Sequence, residues 1–189
     1  MFDAMSTTYL AKLLHIPHEV LALTIDLLQS VLNVPAVKDE PVRIFHPSFR
    51  DFILNRERCS DERLGMDKKD CHITLFRNCL QVMSKLHQNV CGLQDHGVLV
   101  SDIPKETVHY TVPIHIRYAC CYWVYHFQQG NSEQEDIDRI LRFLNEHFLH
   151  WLEALSLFGE VSEGVCMVTS LEVTLTVSHT IIILLKKYY

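Results

Sequence analysis

Histidine offers more potential chemistry than any other side chain in this sequence, with 12 copies among 189 residues. His46 has the most specific placement, because it follows a short apolar segment and precedes Pro47, where a strand is expected to end and a helix to begin. The N-terminus of a helix presents free N–H groups and the positive end of a dipole. An imidazole at this position can therefore contact a phosphate or cap the helix, and the residues alone leave both interpretations open.

The other candidate groups lack the spacing that metal binding or catalysis needs. His147 and His150 lie close together on an expected helix, but the tight Cys and His pairs of a structural zinc site are missing. Cys120 and Cys121 fall inside an apolar helical segment, where a thiol is expected to be buried and inert. None of the six glycines is followed by lysine, which excludes a P-loop. We therefore predict no catalytic residues, no metal ligands and no enzymatic activity.

The charge and cysteine content of the chain exclude further classes of protein. With 17 Lys and Arg against 23 Asp and Glu, the formal net charge is −6. Nucleic acid requires a cationic surface, so we predict no nucleic-acid partner. The seven scattered cysteines form no C-x-x-C motif, and the N-terminus has no signal-peptide pattern. Both observations predict a reducing, cytoplasmic location.

The elements expected around His46 follow from the hydrophobic pattern and the prolines of residues 1–54. Two helices come first, then two short strands around a polar turn, and then a third helix. The predicted elements are helices over residues 7–14, from Pro17 and over residues 47–54, and strands over residues 31–34 and 42–46. Helix, helix, hairpin and helix in this order is the layout of a winged helix.

One polar segment divides the chain. Residues 55–66 are polar and aperiodic, so we predict a linker there. It separates the winged helix of residues 1–54 from a helical bundle over residues 67–178, and residues 179–189 form a divergent apolar tail. The predicted fold class is therefore mainly α, a winged helix with a small β-hairpin followed by an α-helical arm.

Long amphipathic helices dominate the predicted arm. The first follows Asp67 and stops at Gly92, the second follows Pro113 and ends at Gly130, and Ser132 with Glu135 is expected to form a capping box before the third. Residues 92–112 are expected to be an ordered loop. The predicted core residues are aromatic side chains on these apolar stripes and on the third helix of the winged helix. They are Trp123 and Trp151 in the arm and Phe49 and Phe52 in the winged helix.

The apolar stretch over residues 165–185 is long enough to span a bilayer. It contains Glu172 and His179, which would be costly to place in lipid without a partner. We therefore predict that it packs on the bundle as a helix, with its pattern lost after about Ser178, and does not cross a membrane.

Several blocks of the sequence resemble one known family. Residues 44–54, IFHPSFRDFIL, resemble the H-P-S-F-R-D-F-L motif of fungal NACHT-type STAND NTPases, the vegetative incompatibility proteins. Residues 146–156, EHFLHWLEALS, are similar to the family pattern H-x-L-H-W-L-E-A-L-S. Shorter similar blocks are LAKLLHIP at residues 10–17, VCGL at 90–93, GVLV at 97–100 and RYACCYW at 117–123. The resemblance extends over residues 6–178 and not into the tail.

The resemblance implies a part of a larger nucleotide-dependent switch. In this family a NACHT NTPase domain precedes such a region and WD, ankyrin-type or similar repeats follow it, so these are the expected protein partners. ADP or ATP is expected as a cofactor only if a NACHT domain lies upstream, and the chain alone is expected to hold none. His46 resembles the winged-helix histidine that contacts the ADP phosphate in resting animal NLR proteins, which implies a nucleotide-sensing residue in a full-length context.

Three functions remain open at this point. The first is a non-enzymatic regulatory module that couples nucleotide state to a sensor region of a NACHT signalling protein. The second is a stand-alone helical adaptor that binds a protein partner through an exposed apolar face. The third is a truncated fragment without a function of its own. Binding to a separate NACHT domain favours the first, and a monodisperse chain that shows no such binding favours the second.

Overall fold

The computed structural model describes residues 4–35, 40–55, 57–59, 65–94 and 98–188, with side chains described as far as residue 176. Within these ranges the chain forms eight α-helices and one two-stranded antiparallel sheet. The helices are α1 (Thr7–Leu14), α2 (His18–Asp26), α3 (Pro47–Ile53), α4 (Lys68–Met83), α5 (Lys105–Thr111), α6 (Ile114–Gln129), α7 (Gln134–Leu157) and α8 (Val161–Tyr188). The strands are β1 (Leu32–Asn33) and β2 (Arg43–Ile44). The prediction of a mainly α fold with a small β-hairpin is confirmed, whereas the winged-helix arrangement and the domain boundaries stay predictions.

The hairpin places α3 directly after a paired strand. Leu32 lies opposite Ile44 in the antiparallel pair. The pairing continues past β2, because the Phe45 N–H donates to the carbonyl of Val31 at 3.0 Å. On the other side, the Val42 N–H donates to the Met5 carbonyl at 2.9 Å. The hairpin is thus tied to the segment before α1, and it fixes where α3 begins.

The helix α1 packs into the same core as the helical arm. Met5, just before α1, and Leu13 within it are buried together with Phe76 of α4 and Trp123 of α6. The α1 side chains Tyr9 and Leu10 lie at the edge of this cluster. The N-terminal elements and the arm are therefore joined through α1, although the sequence pattern separates them at the linker.

The arm is centred on two tryptophans. Trp123 and Trp151 are completely buried, and their rings meet edge to face with centroids 5.7 Å apart. The indole N–H of Trp151 donates to the carbonyl of Cys120 at 3.0 Å, which links α7 to α6. At the end of α6, Gly130 approaches α4 so closely that a Cβ there would lie 2.9 Å from the backbone nitrogen of Ile73. Only glycine fits this position without a shift of α4.

The phenylalanines of α3 are less buried than the sequence predicts. Phe49 is partly buried and Phe52 is 38% exposed, so Phe52 is not a core residue in this structure. The reason is that α3 is a seven-residue helix at the surface that packs chiefly against β2 and completely buries none of its residues. Its apolar side lacks a second element to cover it among the described residues.

Two local predictions in the arm need correction. α4 ends at Met83 rather than continuing to Gly92, and residues 84–91 form turns. The predicted loop over residues 92–112 contains a helix, α5, which begins after Pro104. The helix α5 forms because side chains of this segment pack into a second, small apolar core, which the prediction of a loop did not include. That core consists of Ile103, Val108, Val112 and Leu157.

The cap of α7 is shifted by one residue from the predicted one. Glu133 is the N-cap, and its backbone N–H donates to the Asp136 carboxylate at 3.0 Å, completing a capping box with Asp136 rather than Ser132 with Glu135. The cause is Arg77 of α4, whose guanidinium donates to both carboxylate oxygens of Asp136 at 2.7 and 3.0 Å. Burial alone would raise the pKa of Asp136, but these bonds hold it below its usual value.

The last helix, α8, packs against α6 and α7 through Leu171 and Met167. The side-chain amide of Gln128 donates to the hydroxyls of Ser170 and Thr174 at 2.6 and 2.9 Å, which fixes α8 along α6. The backbone remains helical through the predicted tail as far as Tyr188. Among the residues described, no helix combines the length and the apolar character that crossing a membrane requires.

Candidate functional site

The His46 segment joins β2 to α3. His46 has an extended backbone and is the N-cap of α3, with Pro47 as the first helical residue. The backbone N–H of Ser48 donates to Nδ1 of His46 at 3.1 Å, and the Ser48 hydroxyl lies 2.8 Å from the same nitrogen. The imidazole therefore caps α3, because it accepts from one of the free N–H groups at the start of the helix.

This capping bond also determines which ring nitrogen of His46 is available. Since Nδ1 accepts from the Ser48 N–H, the neutral ring carries its proton on Nε2. The side chain is exposed, and Nε2 has no hydrogen-bond partner in the part of the chain that the structure describes. An Nε2–H group of this kind can donate to a phosphate oxygen of a partner. Capping and anion contact are thus compatible, because they use different nitrogens.

Exposed apolar side chains occur directly before His46 and, separately, along α2. Phe45, the residue before His46, is 62% exposed, and Ile44 is also largely exposed. Val20 and Leu23 of α2 and Leu27, its C-cap, lie three and four residues apart, which places them on one face, and Leu27 is 85% exposed. We call these three residues the α2 stripe. Exposed apolar residues that share one helix face are typical of interaction surfaces.

The blocks that carry the family resemblance in the arm contact one another. Glu153 in α7 accepts through its two carboxylate oxygens from the N–H groups of Asn89 and Val90, both at 3.1 Å. Asn89 has a left-handed backbone, and its side chain bonds both backbone groups of Leu93. Trp151, from the same block as Glu153, bonds the carbonyl of Cys120. These blocks therefore hold the arm together.

The other histidines and cysteines singled out in the sequence lie in structural positions. The His147 ring donates through Nδ1 to the Leu86 carbonyl at 3.2 Å, and the Nδ1 atoms of His147 and His150 are 3.3 Å apart. Across the described ranges, no three His, Cys, Asp or Glu side chains gather as a metal site would require. Burial raises the pKa of the Cys120 thiol, which disfavours the nucleophilic thiolate.

Sequence reasoning missed a buried polar chain between α4 and α6. Nδ1 of His126 lies 2.8 Å from Nδ1 of His72, and Nε2 of His126 lies 2.8 Å from the hydroxyl of Tyr118. Burial, together with His72, lowers the pKa of His126 to about 4, so the ring is neutral at physiological pH. The contact between Tyr118 and His126 could have been predicted from their spacing of eight residues, because this spacing places both on one face of a helix.

Comparison with known proteins shows that this chain is similar in sequence to part of a much longer protein. It is 31% identical over 167 residues to the vegetative incompatibility protein HET-E-1 of Podospora anserina, which covers 77% of this chain. The chain spans only 12% of that protein. No family model and no solved structure matches the chain. The similarity is therefore to a segment of a large incompatibility protein.

Proposed function

We propose that the chain is a non-enzymatic regulatory module of a NACHT-type signalling protein and couples nucleotide state to a sensor region. The observation that carries this proposal is the His46 segment, which combines an available Nε2–H group with an exposed apolar surface. The similarity to a vegetative incompatibility protein supports it, as does the resemblance of residues 44–54 to the family motif.

Each region has a distinct role in this proposal. The α2 stripe and Phe45 bind an upstream NACHT NTPase domain, and His46 contacts the phosphate of ADP held by that domain. The arm transmits the position of the NTPase domain to downstream repeats of the WD or ankyrin type. ADP or ATP is then a cofactor of the joined protein and not of this chain alone. We place this assembly in the cytoplasm.

The test uses a protein in which a NACHT domain precedes this chain. His46→Ala should weaken ADP binding about ten- to hundredfold, because a hydrogen bond to a charged group contributes roughly 1.5–3 kcal/mol. The matched variant is His46→Asn, since asparagine is a good N-cap but lacks the Nε2–H group. ADP affinity is measured by calorimetry for both.

The two variants separate the phosphate contact from the cap. Both should lose ADP affinity if Nε2 contacts the phosphate. If His46→Asn keeps the affinity of the wild type, His46 acts as a cap and its nucleotide-sensing role is wrong.

The α2 stripe also favours a second function, a stand-alone adaptor. The exposed leucines would bind a protein partner without any nucleotide. Binding of a separate NACHT domain that changes between ADP and ATP supports the regulatory module. Partner binding through Leu23 and Leu27 that is indifferent to nucleotide supports the adaptor.

A further inference from the structure

A cleft of about 550 Å³ lies where α1, α4 and α6 meet, away from His46. Its positively charged or protonatable lining residues are Lys12, His15, Lys85 and His115. The other side chains that line it are apolar, and none of the described lining residues is acidic. The whole chain carries a net charge of −6, so this concentration of basic groups is a local feature. Its volume is within the range of small-molecule sites.

One of the lining residues, His115, is only 8% exposed, and its buried ring nitrogen Nδ1 has no hydrogen-bond partner among the described residues. Buried polar atoms in folded proteins nearly always have a partner, and leaving one without a partner costs roughly 1–3 kcal/mol. Since His115 also lines the cleft, a turn of its ring about the Cβ–Cγ bond would present this nitrogen to a group bound there.

The surroundings of His115 favour an anion. Burial chiefly, and the charges of Lys12, Lys85 and His15 after it, lower the pKa of His115 to about 4. The two lysines that line the cleft give it a positive field. The His115 ring stacks on Tyr9 with centroids 5.5 Å apart, and Nζ of Lys12 lies 5.4 Å from the Tyr9 centroid. Tyr9 therefore contacts both the lysine and the histidine.

The helix α6 adds a further favourable field. It begins at Ile114 and has 16 residues, so the positive end of its dipole lies at His115. A shallower groove continues from the cleft across Lys12 and Ile16. In that groove Thr8 and His18 each have one buried polar atom without a partner among the described residues, and Glu19 also lines it. A ligand larger than one phosphate group has room along this line.

We infer that this cleft binds a phosphate-bearing small molecule, with Lys12 and Lys85 pairing with the phosphate oxygens and the His115 ring bonding one of them. The inference does not rest on the proposed function, because the cleft contains neither His46 nor the α2 stripe. Inorganic pyrophosphate is the simplest probe of this chemistry, since it carries the charge without a base or a lipid.

The experiment is calorimetric titration of the full 189-residue chain with pyrophosphate at low ionic strength, with sodium chloride of equal ionic strength as the blank. The wild type should bind, and Lys12→Gln combined with Lys85→Gln should weaken binding at least tenfold. The matched control combines Lys68→Gln with Lys69→Gln, two exposed lysines at the opposite end of α4, and should change binding less than twofold. A wild type that does not bind, or equal losses in both pairs, overturns the inference.

A second variant tests the histidine without relying on charge. His115→Phe keeps a flat ring for stacking on Tyr9 and removes both nitrogens. It should weaken pyrophosphate binding at least fivefold while the thermal midpoint in buffer stays at or above that of the wild type, because an unpaired buried nitrogen has been removed. Unchanged pyrophosphate affinity in this variant overturns the role of His115 in the site.

A further comparison distinguishes a lipid headgroup from a soluble phosphate compound as the ligand. Vesicles that contain a phosphatidylinositol phosphate are compared with free pyrophosphate, using the same lysine variants. Vesicle binding that needs Lys12 and Lys85 identifies a lipid headgroup. Binding of pyrophosphate without vesicle binding identifies a soluble phosphate ester, and either result supports a phosphate site.

Discussion

The arm and the segment from α2 to α3 use apolar residues in opposite ways. In the arm, Trp123, Trp151 and Phe76 are completely enclosed by neighbouring helices. In α2 only Ile25 is buried, while Leu23 and Leu27 extend into solvent, and α3 completely buries none of its residues. Both regions carry apolar side chains at helical spacing, so the difference lies in what covers each helix.

This contrast shows which helices bury their apolar faces within the chain and which do not. A short helix is marginal in water and gains its stability from burying an apolar face. The arm obtains this burial within the chain, whereas α2 and α3 obtain little of it. A partner that covers the α2 stripe would therefore stabilise the N-terminal elements and leave the arm almost unaffected. The predictions that follow test this difference.

The largest effect is expected from Trp151→Ala. This change removes the largest type of side chain from a completely buried position, together with the hydrogen bond from its indole N–H to the Cys120 carbonyl. The free energy of unfolding should fall by about 3–5 kcal/mol. The paired variant Phe52→Ala should cost less than about 1 kcal/mol, because that ring is already partly in solvent. Urea titrations measure both, and equal losses would contradict the contrast between the two regions.

An intermediate effect is expected from Asp136→Asn, which weakens the link from α7 to Arg77. The loss should be about 1–3 kcal/mol at neutral pH, because the carboxylate is buried and charge-assisted hydrogen bonds are the stronger kind. The matched variant is Asp138→Asn, an exposed carboxylate in the same helix, which should cost less than about 0.5 kcal/mol.

The effect of Asp136 should also depend on pH in a defined direction. Its pKa is lower in the folded chain than in the unfolded chain, so its contribution is complete above the unfolded value of about 4. It is lost as the pH falls through the folded value. The stabilities of wild type and Asp136→Asn should therefore converge in acid. A difference that stays constant from pH 7 to pH 2 would show that the carboxylate charge is not responsible.

The smallest effect on stability is expected in the α2 stripe. Leu23→Ser and Leu27→Ser should each change the free energy of unfolding by less than about 0.5 kcal/mol, because both side chains are exposed. Ile25→Ala, in the same helix but buried, should cost at least about 2 kcal/mol. The two serine variants should nevertheless reduce binding to a NACHT domain in a pull-down. A loss of stability equal to that of Ile25→Ala would mean that the stripe is covered within the chain.

The parts of the fold that could be predicted are those with local signals. The helix α1 has the predicted bounds, and α6 follows Pro113 and ends before Gly130 as the pattern indicates. The helix α5 was missed because it is short and gains its burial from Leu157, which is far away in sequence. The cap of α7 was displaced by one residue because a distant arginine selects Asp136.

The candidate sites show the same limit. Pro47 signals a helix start, so a capping His46 could be predicted from adjacent residues. The cleft around His115 could not, because Lys12 lies in α1, Lys85 in the turn after α4 and His115 in α6, and only the folded core brings these segments together. The same is true of Glu153 and Asn89, which are 64 residues apart. A site whose residues are far apart in the sequence, and meet only through packing, cannot be predicted from the spacing of residues along the chain.

The helix α7 also has a mechanical consequence for the arm. Its 24 residues form a rod about 36 Å long. Near its start the rod is fastened to α4 through Asp136, and towards its end it is fastened to α6 through Trp151 and to the turn after α4 through Glu153. Because α7 is held near both ends, it resists bending, and a displacement of one end is transmitted to the other. The arm is therefore stiff along α7, and any hinge that lets the arm rotate would have to lie outside this helix.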